Sequence, residues 1–206
     1  MTIAGIAQAD LTEEWFQAFR AVGRLAWDIE TSGLDWRTDR IGTCQVHAPA
    51  VGTAIVQVGT EVPKRLGSLL ADVSVLKVFH HAPFDLRFMT SHWQIRAQNV
   101  ACTKVASRIL DSQAPDSTHS LQSLLNRRLG VKISKEQRLS DWVGGSLTAA
   151  QIRYASQDVE HLLPLYDELY LNLAEAGLAE LYRDCCAFLS GRVQLELGSW
   201  PDVFAY

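Results

Sequence analysis

The chain has 206 residues, of which 48% are hydrophobic, 20% charged and 9% aromatic, and its formal net charge is −4. This is an ordinary globular composition, and it excludes disordered, collagen-like and coiled-coil proteins. The acidic balance argues against a protein that coats nucleic acid through a basic surface. We therefore expect a single domain over residues 1–206 with its own hydrophobic core.

The cysteines and the charge pattern indicate where the chain resides. Its four cysteines form no C-x-x-C pair, which favours buried free thiols in a reducing compartment. No basic segment followed by an apolar run predicts a signal peptide, and Pro49 and three glycines interrupt the uncharged stretch 41–60. We expect a cytoplasmic protein that does not associate with membranes.

The first third of the chain predicts a helix followed by a strand meander. Apolar residues recur at helical spacing over 11–22, and residues 25–30 then alternate between apolar and polar or small side chains. Two more strand-like runs follow at 42–47 and 53–58. Short connections between three successive strands predict antiparallel pairing.

The next segments alternate between helix and strand, which predicts parallel strands joined by crossover helices. The predicted elements are helices over 62–70, 83–92 and 103–110 and strands over 75–79 and 99–102.

From residue 120 onwards the chain is predicted to be helical. Gly130 provides a left-handed C-cap for a helix over 121–129, after a loop over 112–118. Thr148 and Gln151 form a capping box at the start of a helix that continues past residue 158. Pro164 should kink or divide that helix, and a last helix is predicted over 178–197.

Two acids in the first predicted strand are candidate metal ligands. Asp28 and Glu30 lie two residues apart, so both side chains project from the same face. Two carboxylates this close repel each other unless a cation lies between them. A strand end open to water is the alternative, and Asp158 and Glu160 share the same common spacing.

Later segments carry further acids. Asp85 falls in the first turn of a predicted helix, where the helix dipole alone would also stabilise it. Tyr154 and Asp158 are four residues apart on one helix face, which is equally typical of a half-buried tyrosine beside a surface acid.

Taken in order, these segments resemble the three motifs of the DEDD exonuclease superfamily. They are Asp28-x-Glu30-Thr31, His80-x-Ala82-x-Phe84-Asp85 and Tyr154-Ala155-x-x-Asp158. Residues 25–169 resemble the catalytic domain of ribonuclease D. Tyr154 stands four residues before the last Asp, while Arg153 occupies the position of the histidine in the other branch, so the resemblance is to the DEDDy type. His81 replaces the asparagine usual in the second motif.

Three other segments resemble the short nanoRNase C members of this superfamily. They are Cys102–Ser107, the run from Ile133 to Gln137, and the tail from Leu197 to Tyr206. As in those members, we expect no helicase-and-RNase-D-type C-terminal domain. The resemblance implies a homo-oligomer that acts on short RNA.

The resemblance also implies a fold and an activity. The expected fold is an RNase H-like α/β exonuclease domain whose mixed five-stranded sheet has the order 3-2-1-4-5, with strand 25–30 central and a helical C-terminal half. The expected activity is metal-dependent 3′-5′ exoribonuclease cleavage of short single-stranded RNA that releases nucleoside 5′-monophosphates. Alternatives are ribonuclease D-like processing of structured RNA, a 3′-5′ exonuclease acting on DNA, or an inactive nucleic-acid-binding module.

Roles for single residues follow from the resemblance as well. It implies that four carboxylates hold two divalent cations, Mg²⁺ or Mn²⁺, with Asp28 contacting both, and that Tyr154 orients the attacking water. The implied metal ligands are Asp28, Glu30, Asp85 and Asp158. The implied substrate contacts are Thr31, Leu34, His80, Lys135 and Gln137.

Other side chains leave two interpretations open. Arg127, Arg128, Lys132 and Arg138 add local positive charge that suits either phosphate contact or a solvated helix face. Trp142 suits either stacking on a base or anchoring its own loop.

Overall fold

A computed structural model describes residues 5–134 and 136–205, which fold around one mixed six-stranded sheet. The strands are β1 (Gly5–Gln8), β2 (Arg24–Thr31), β3 (Ile41–Ala48), β4 (Gly52–Gln57), β5 (Leu76–Phe79) and β6 (Val100–Cys102). Their spatial order is β1-β4-β3-β2-β5-β6. The five predicted strands are β2 to β6, and their predicted order is confirmed. β1 is an additional strand that pairs parallel with β4 at one edge.

The helices surround this sheet and make up most of the C-terminal half. They are α1 (Glu13–Val22), α2 (Lys64–Ala71), α3 (Ala82–Trp93), α4 (Thr103–Leu110), α5 (Leu121–Leu124), α6 (Ala149–Glu160), α7 (Leu162–Glu175) and α8 (Ala179–Leu197). A 3₁₀ turn (Asp116–His119) precedes α5, and a π-helical turn (Leu125–Leu129) follows it. None of the helices in the described part of the chain has the length and hydropathy that crossing a bilayer requires.

Local sequence signals account for several helix ends. Gly130 has a φ of 67° and ends the turn before it, as expected of a left-handed C-cap. The Thr148–Gln151 capping box is present at the start of α6. The predicted helix that contains Pro164 is divided into α6 and α7, as the proline indicated. The break lies at His161, three residues before Pro164.

β2 occupies the centre of the sheet because it pairs on both sides. It runs antiparallel to β3 and parallel to β5. Leu25, Trp27 and Ile29 are buried in the main hydrophobic core. Pairing with β5 ends at Ala26, so the second half of β2 extends beyond its neighbour and keeps one backbone edge available.

α6 packs over the meander, where it contacts β2, β3 and β4. Asp28 and Glu30 lie opposite Gln45 and Thr43 of β3, and residues paired across a ladder share a face. Gln45 and Thr43 are both buried polar residues. This face of the sheet is therefore polar where the two acids emerge.

Candidate active site

Three carboxylates from two elements meet at the end of the central strand. Asp28 and Glu30 project from β2, and Asp158 projects from the last turn of α6. One oxygen of each lies within 4.8 Å of the others, and all three side chains are partly buried. The structure thus brings together three of the four acids that the motifs singled out.

The fourth acid, Asp85, lies beside this group and is held by the backbone of β2. The Ile29 N–H donates a hydrogen bond of 3.2 Å to Asp85 Oδ1, and the side chain is 2% exposed. Ile29 can donate because β5 no longer pairs with β2 beyond Ala26. The same bond ties the first turn of α3 to the strand between Asp28 and Glu30.

Burial raises the pKa values of acids in this group, and neighbouring carboxylates raise those of Asp28 and Glu30 further. Burial, and then the neighbouring carboxylate of Asp85, raise the pKa of Asp28 well above its usual value. Burial and then Asp158 do the same for the pKa of Glu30, while the guanidinium of Arg138 lowers it. Burial raises the pKa of Asp85 to about 8. The fully ionised cluster is therefore unfavourable without a cation beside it.

This donor set fits a hard divalent cation. Carboxylate oxygens are the ligands that Mg²⁺ and Mn²⁺ prefer, whereas Zn²⁺ sites usually include histidine or cysteine. The group comprises Asp28, Glu30 and Asp158 alone, each able to offer one oxygen. A cation between them would relieve the repulsion that, together with burial, raises the pKa values of Asp28 and Glu30.

Tyr154 lies one turn before Asp158 on α6 and hydrogen-bonds to that carboxylate. Burial of the phenol, and then the charge of Asp158, raise the Tyr154 pKa above its usual value. The hydroxyl is therefore protonated at neutral pH and acts as a hydrogen-bond donor.

Trp142 forms the wall behind Tyr154. Its ring centroid lies 5.8 Å from that of Tyr154, and the residue is only 2% exposed. A ring this buried cannot stack on a substrate base, so of the two interpretations the anchoring one is correct. The backbone of Trp142 lies directly against Gly42 of β3, where any side chain would collide with it.

The capping box links this wall to α6. Gln151 Nε2 donates to the Asp141 carbonyl at 2.8 Å, and Gln151 Oε1 accepts from Thr148 N–H at 2.9 Å. One glutamine thus stabilises the helix start and fixes the segment that carries Trp142. The register of Tyr154 and Asp158 on α6 follows from this anchor.

Two cavities open beside the carboxylates. The terminal cavity, about 300 Å³, is lined by Glu30, Thr31, Leu34, Phe84, Arg138 and Leu139 among others. The catalytic cavity, about 200 Å³, is lined by Asp28, His80, Gln122, Arg138, Tyr154 and Asp158 among others.

The residues expected to contact substrate lie in different places relative to the two cavities. Thr31 and Leu34 line the terminal cavity, and Leu34 is 77% exposed. His80 lines the catalytic cavity, and its Nδ1 lies 2.9 Å from Thr103 Oγ1. Gln137 lines neither cavity, and its Oε1 accepts a 2.6 Å hydrogen bond from Ser140 Oγ within a turn. Lys135 lies outside the described residues.

The structure also distinguishes among the basic residues whose role the sequence left open. Arg127 donates to the Thr118 carbonyl and Arg128 pairs with Glu168, so both have structural partners. Arg138 instead faces both cavities. Its neighbour Leu139 lines the terminal cavity but belongs to none of the sequence motifs. The only sequence feature that could have singled out Leu139 is its place in a loop next to a basic residue.

His81 has a left-handed backbone, with a φ of 64°, at the start of α3. Asparagine tolerates this conformation better than most residues. This gives a backbone reason for the asparagine that the resembling motif has at this position. His81 lines neither of the two cavities.

Comparisons with known proteins agree with this geometry. A family model described as 3′-5′ exonuclease matches residues 3–174. The structure of Brucella melitensis NrnC with bound Mg²⁺ is similar, with a TM-score of 0.90, 31% identity and full coverage of both chains. A structure of the same relative bound to pGG has a TM-score of 0.90 and 30% identity, again over both whole chains.

Curated relatives match over part of their length. Exosome complex component 10 of Rattus norvegicus is 33% identical over 112 residues, which cover 54% of this chain and 12% of the relative. Ribonuclease D of Desulfotalea psychrophila is 34% identical over 97 residues, which cover 47% of this chain and 25% of the relative. The chain thus matches a minor part of these larger proteins.

Removing one acid should relieve repulsion in the metal-free protein. In EDTA, the Asp28→Asn variant should melt at the same temperature as the wild type or higher, by about 2–4 °C for each kcal/mol of repulsion lost. Mg²⁺ or Mn²⁺ should raise the melting temperature of the wild type more than that of the variant. Glu61→Gln, an exposed acid away from the cluster, is the control. A variant that melts several degrees lower in EDTA would mean that Asp28 is a structural residue.

Proposed function

This chain belongs to the 3′-5′ exonuclease family and has its RNase H-like fold, and from this premise we propose that it is a metal-dependent exoribonuclease. It would remove nucleoside 5′-monophosphates from the 3′ end of short single-stranded RNA. The observation that carries the proposal is the group of Asp28, Glu30 and Asp158, with Tyr154 hydrogen-bonded to Asp158 at an open cavity.

We assign the metal-binding role to four acids. Asp28, Glu30 and Asp158 would hold the cations, and Asp85 would contribute from its position against Ile29. Two divalent ions are our proposal for the count, and the Mg²⁺ in the Brucella relative supports the choice of metal. When bound, such cations supply Lewis-acid chemistry, because they lower the pKa of water and neutralise negative charge on phosphate.

Side chains of this protein would position the attacking water. Tyr154 keeps its proton, so it would orient the attacking water through a hydrogen bond rather than act as a base. Trp142 limits the movement of the phenol, and Asp158 fixes the direction of its hydroxyl. Orientation of this kind accelerates a reaction because the reacting groups are already placed.

The substrate contacts remain proposals of the same kind. Thr31 and Leu34 would contact the terminal nucleotide, and His80 would lie near the cleaved linkage, as their cavities suggest. Gln137 would support the turn around Arg138, and Lys135 is assigned a phosphate contact on the resemblance alone. The pGG in the Brucella relative supports a short nucleic acid as the substrate.

Removing the Tyr154 hydroxyl should lower the rate of cleavage without lowering the stability of the fold. Tyr154→Phe keeps the ring against Trp142, so its melting temperature and Mg²⁺ response should match the wild type. Its rate on 5′-labelled RNA in Mg²⁺ should fall by about 100-fold or more, the contribution expected of a positioned proton-handling group. Tyr166→Phe removes a partly buried hydroxyl away from both cavities and is the matched control.

The same assay tests the class of function. The wild type should shorten the RNA one nucleotide at a time in Mg²⁺ and leave it intact in EDTA. A Tyr154→Phe rate equal to the wild type would remove this residue from the mechanism. No cleavage of RNA or DNA at any length would favour the inactive binding module.

We propose that the protein is a homo-oligomer, on the apolar surface of its tail. The segment after α8 folds back so that the rings of Phe204 and Phe188 lie 5.5 Å apart. Trp200, Val203 and Phe204 nevertheless remain 50–75% exposed. Adjacent apolar side chains of this size are typical of interaction surfaces. A cytoplasmic location is consistent with four free cysteines, three of them buried.

Deleting residues 199–206 should lower the oligomeric mass, relax the preference for short RNA, or do both. Light scattering measures the mass, and rates on two-residue and twenty-residue RNA measure the preference. Val73→Ala, which removes an exposed apolar side chain from another loop, is the control. Unchanged mass together with unchanged relative rates would contradict the proposal.

A further inference from the structure

The terminal and catalytic cavities share one side chain in the described part of the chain. Arg138 lines both, and no other residue within 5–134 and 136–205 does so. Glu30 lines the first cavity and Asp28 the second, so the two cavities meet at the carboxylates. A ligand that occupies both cavities must pass the guanidinium of Arg138.

Arg138 supplies positive charge where the site lacks it. Its guanidinium lowers the pKa of Glu30, which places it within electrostatic reach of the acids. The side chain is exposed, and among the described residues it forms no ion pair. An unpaired arginine offers a planar set of donors that suits a phosphate.

The turn that carries Arg138 is fixed on both sides. Ser140 N–H donates to the Gln137 carbonyl at 3.0 Å, and Ser140 Oγ donates to Gln137 Oε1. Upstream, Gln122 Nε2 donates to the Ile133 carbonyl at 2.9 Å. These hydrogen bonds hold the backbone of the turn that places Arg138 beside both cavities.

Leu139 is the most exposed large apolar residue in the described chain, at 92%. It lines the terminal cavity together with Leu34, which is 77% exposed, and with Phe84. Exposed apolar area is unfavourable in water, and each leucine would gain by covering a flat apolar surface. A nucleobase inside the cavity offers such a surface on each of its two faces.

We propose that Arg138 and Leu139 form a two-part clamp on the substrate. Arg138 binds the charged phosphodiester that joins the last two nucleotides, and Leu139 covers the terminal base together with Leu34. This inference rests on the proposed function, since it takes a nucleic acid 3′ end as the ligand. Arg138 and Leu139 are adjacent in sequence, so one turn recognises both the charge and the base.

The experiment measures binding, so that it does not depend on cleavage. Two unreactive dinucleotides are titrated by calorimetry in Mg²⁺. In one, a methylene group replaces the 3′ oxygen and the linkage keeps its charge. In the other, an uncharged methylphosphonate replaces the linkage. A third ligand carries the charged linkage and lacks the terminal base.

Arg138→Gln should weaken binding of the charged analogue by about 10- to 100-fold, the range for a hydrogen bond to a charged group. Binding of the uncharged analogue should change less than about 2-fold, since it presents no charge to lose. Arg138→Lys should recover part of the affinity, because it keeps the charge without the planar donors. Arg153→Gln, an exposed arginine on α6 outside both cavities, is the matched control.

Leu139→Ala should weaken both analogues that carry the base by about 3- to 10-fold and leave the ligand without the base unaffected. Leu171→Ala, at a residue 63% exposed on α7, should change none of them. Equal losses on the charged and uncharged analogues for Arg138→Gln, or no loss, would overturn the phosphate contact. Equal losses with and without the base would overturn the role of Leu139.

Failure of the clamp proposal can be distinguished from failure of the proposed exonuclease function. A wild type that binds the charged analogue with the expected pattern but cleaves no RNA would retain the clamp and reject the exonuclease. A wild type that cleaves RNA while Arg138→Gln binds normally would retain the exonuclease and reject the clamp.

Discussion

Mutual repulsion among clustered, partly buried carboxylates is the constraint on which the rest of the site depends. A strand in the middle of a sheet normally presents apolar side chains to the helix that covers it, yet β2 presents Asp28 and Glu30. Burial and neighbouring charges raise the pKa of both acids well above their usual values. Hydrogen bonds and packing in neighbouring parts of the fold hold the two acids together. A bound cation would offset the repulsion between their carboxylates.

Those bonds come from backbone groups that the sheet leaves available. β5 stops pairing with β2 at Ala26, so the N–H of Ile29 donates its hydrogen bond to the Asp85 carboxylate instead. On the other side, α6 is placed over the meander by its capping box and by Gln151. The acids therefore meet because one strand is shorter than its neighbour and because one helix start is fixed.

Two cavities adjoin the carboxylates and contain the proposed substrate contacts Thr31, Leu34 and His80. The carboxylates lie where the terminal and catalytic cavities meet, and Arg138 faces both. A negatively charged polymer can approach a negatively charged cluster only where cations intervene. Bound cations would supply most of that positive charge, and Arg138 would supply the part that the protein itself contributes.

Much of the fold could be predicted because its signals are local. The two-residue period of β2 placed Asp28 and Glu30 on one face, and the capping box placed Tyr154 and Asp158. β1 gave no such signal, since it is four residues long and pairs with a strand more than forty residues away.

Parts of the site depended on tertiary contacts that no pattern encodes. The close approach of Trp142 to Gly42 joins segments a hundred residues apart in sequence, so burial of that ring could not be decided in advance. Gln137, which is expected to contact substrate, hydrogen-bonds within a turn, and no sequence signal indicated that its neighbours Arg138 and Leu139 line the terminal cavity. A loop residue's direction depends on the turn that carries it, which composition does not specify.

The most direct test of the account is the position of bound metal. Crystals grown with Mn²⁺ and the charged unreactive dinucleotide should give anomalous peaks among the oxygens of Asp28, Glu30 and Asp158, with Asp85 adjacent. The same peaks should be absent from Asp28→Asn crystals grown under the same conditions. Peaks elsewhere, or an acidic cluster that stays without metal while the dinucleotide is bound, would contradict the claim that the carboxylates are assembled to hold cations.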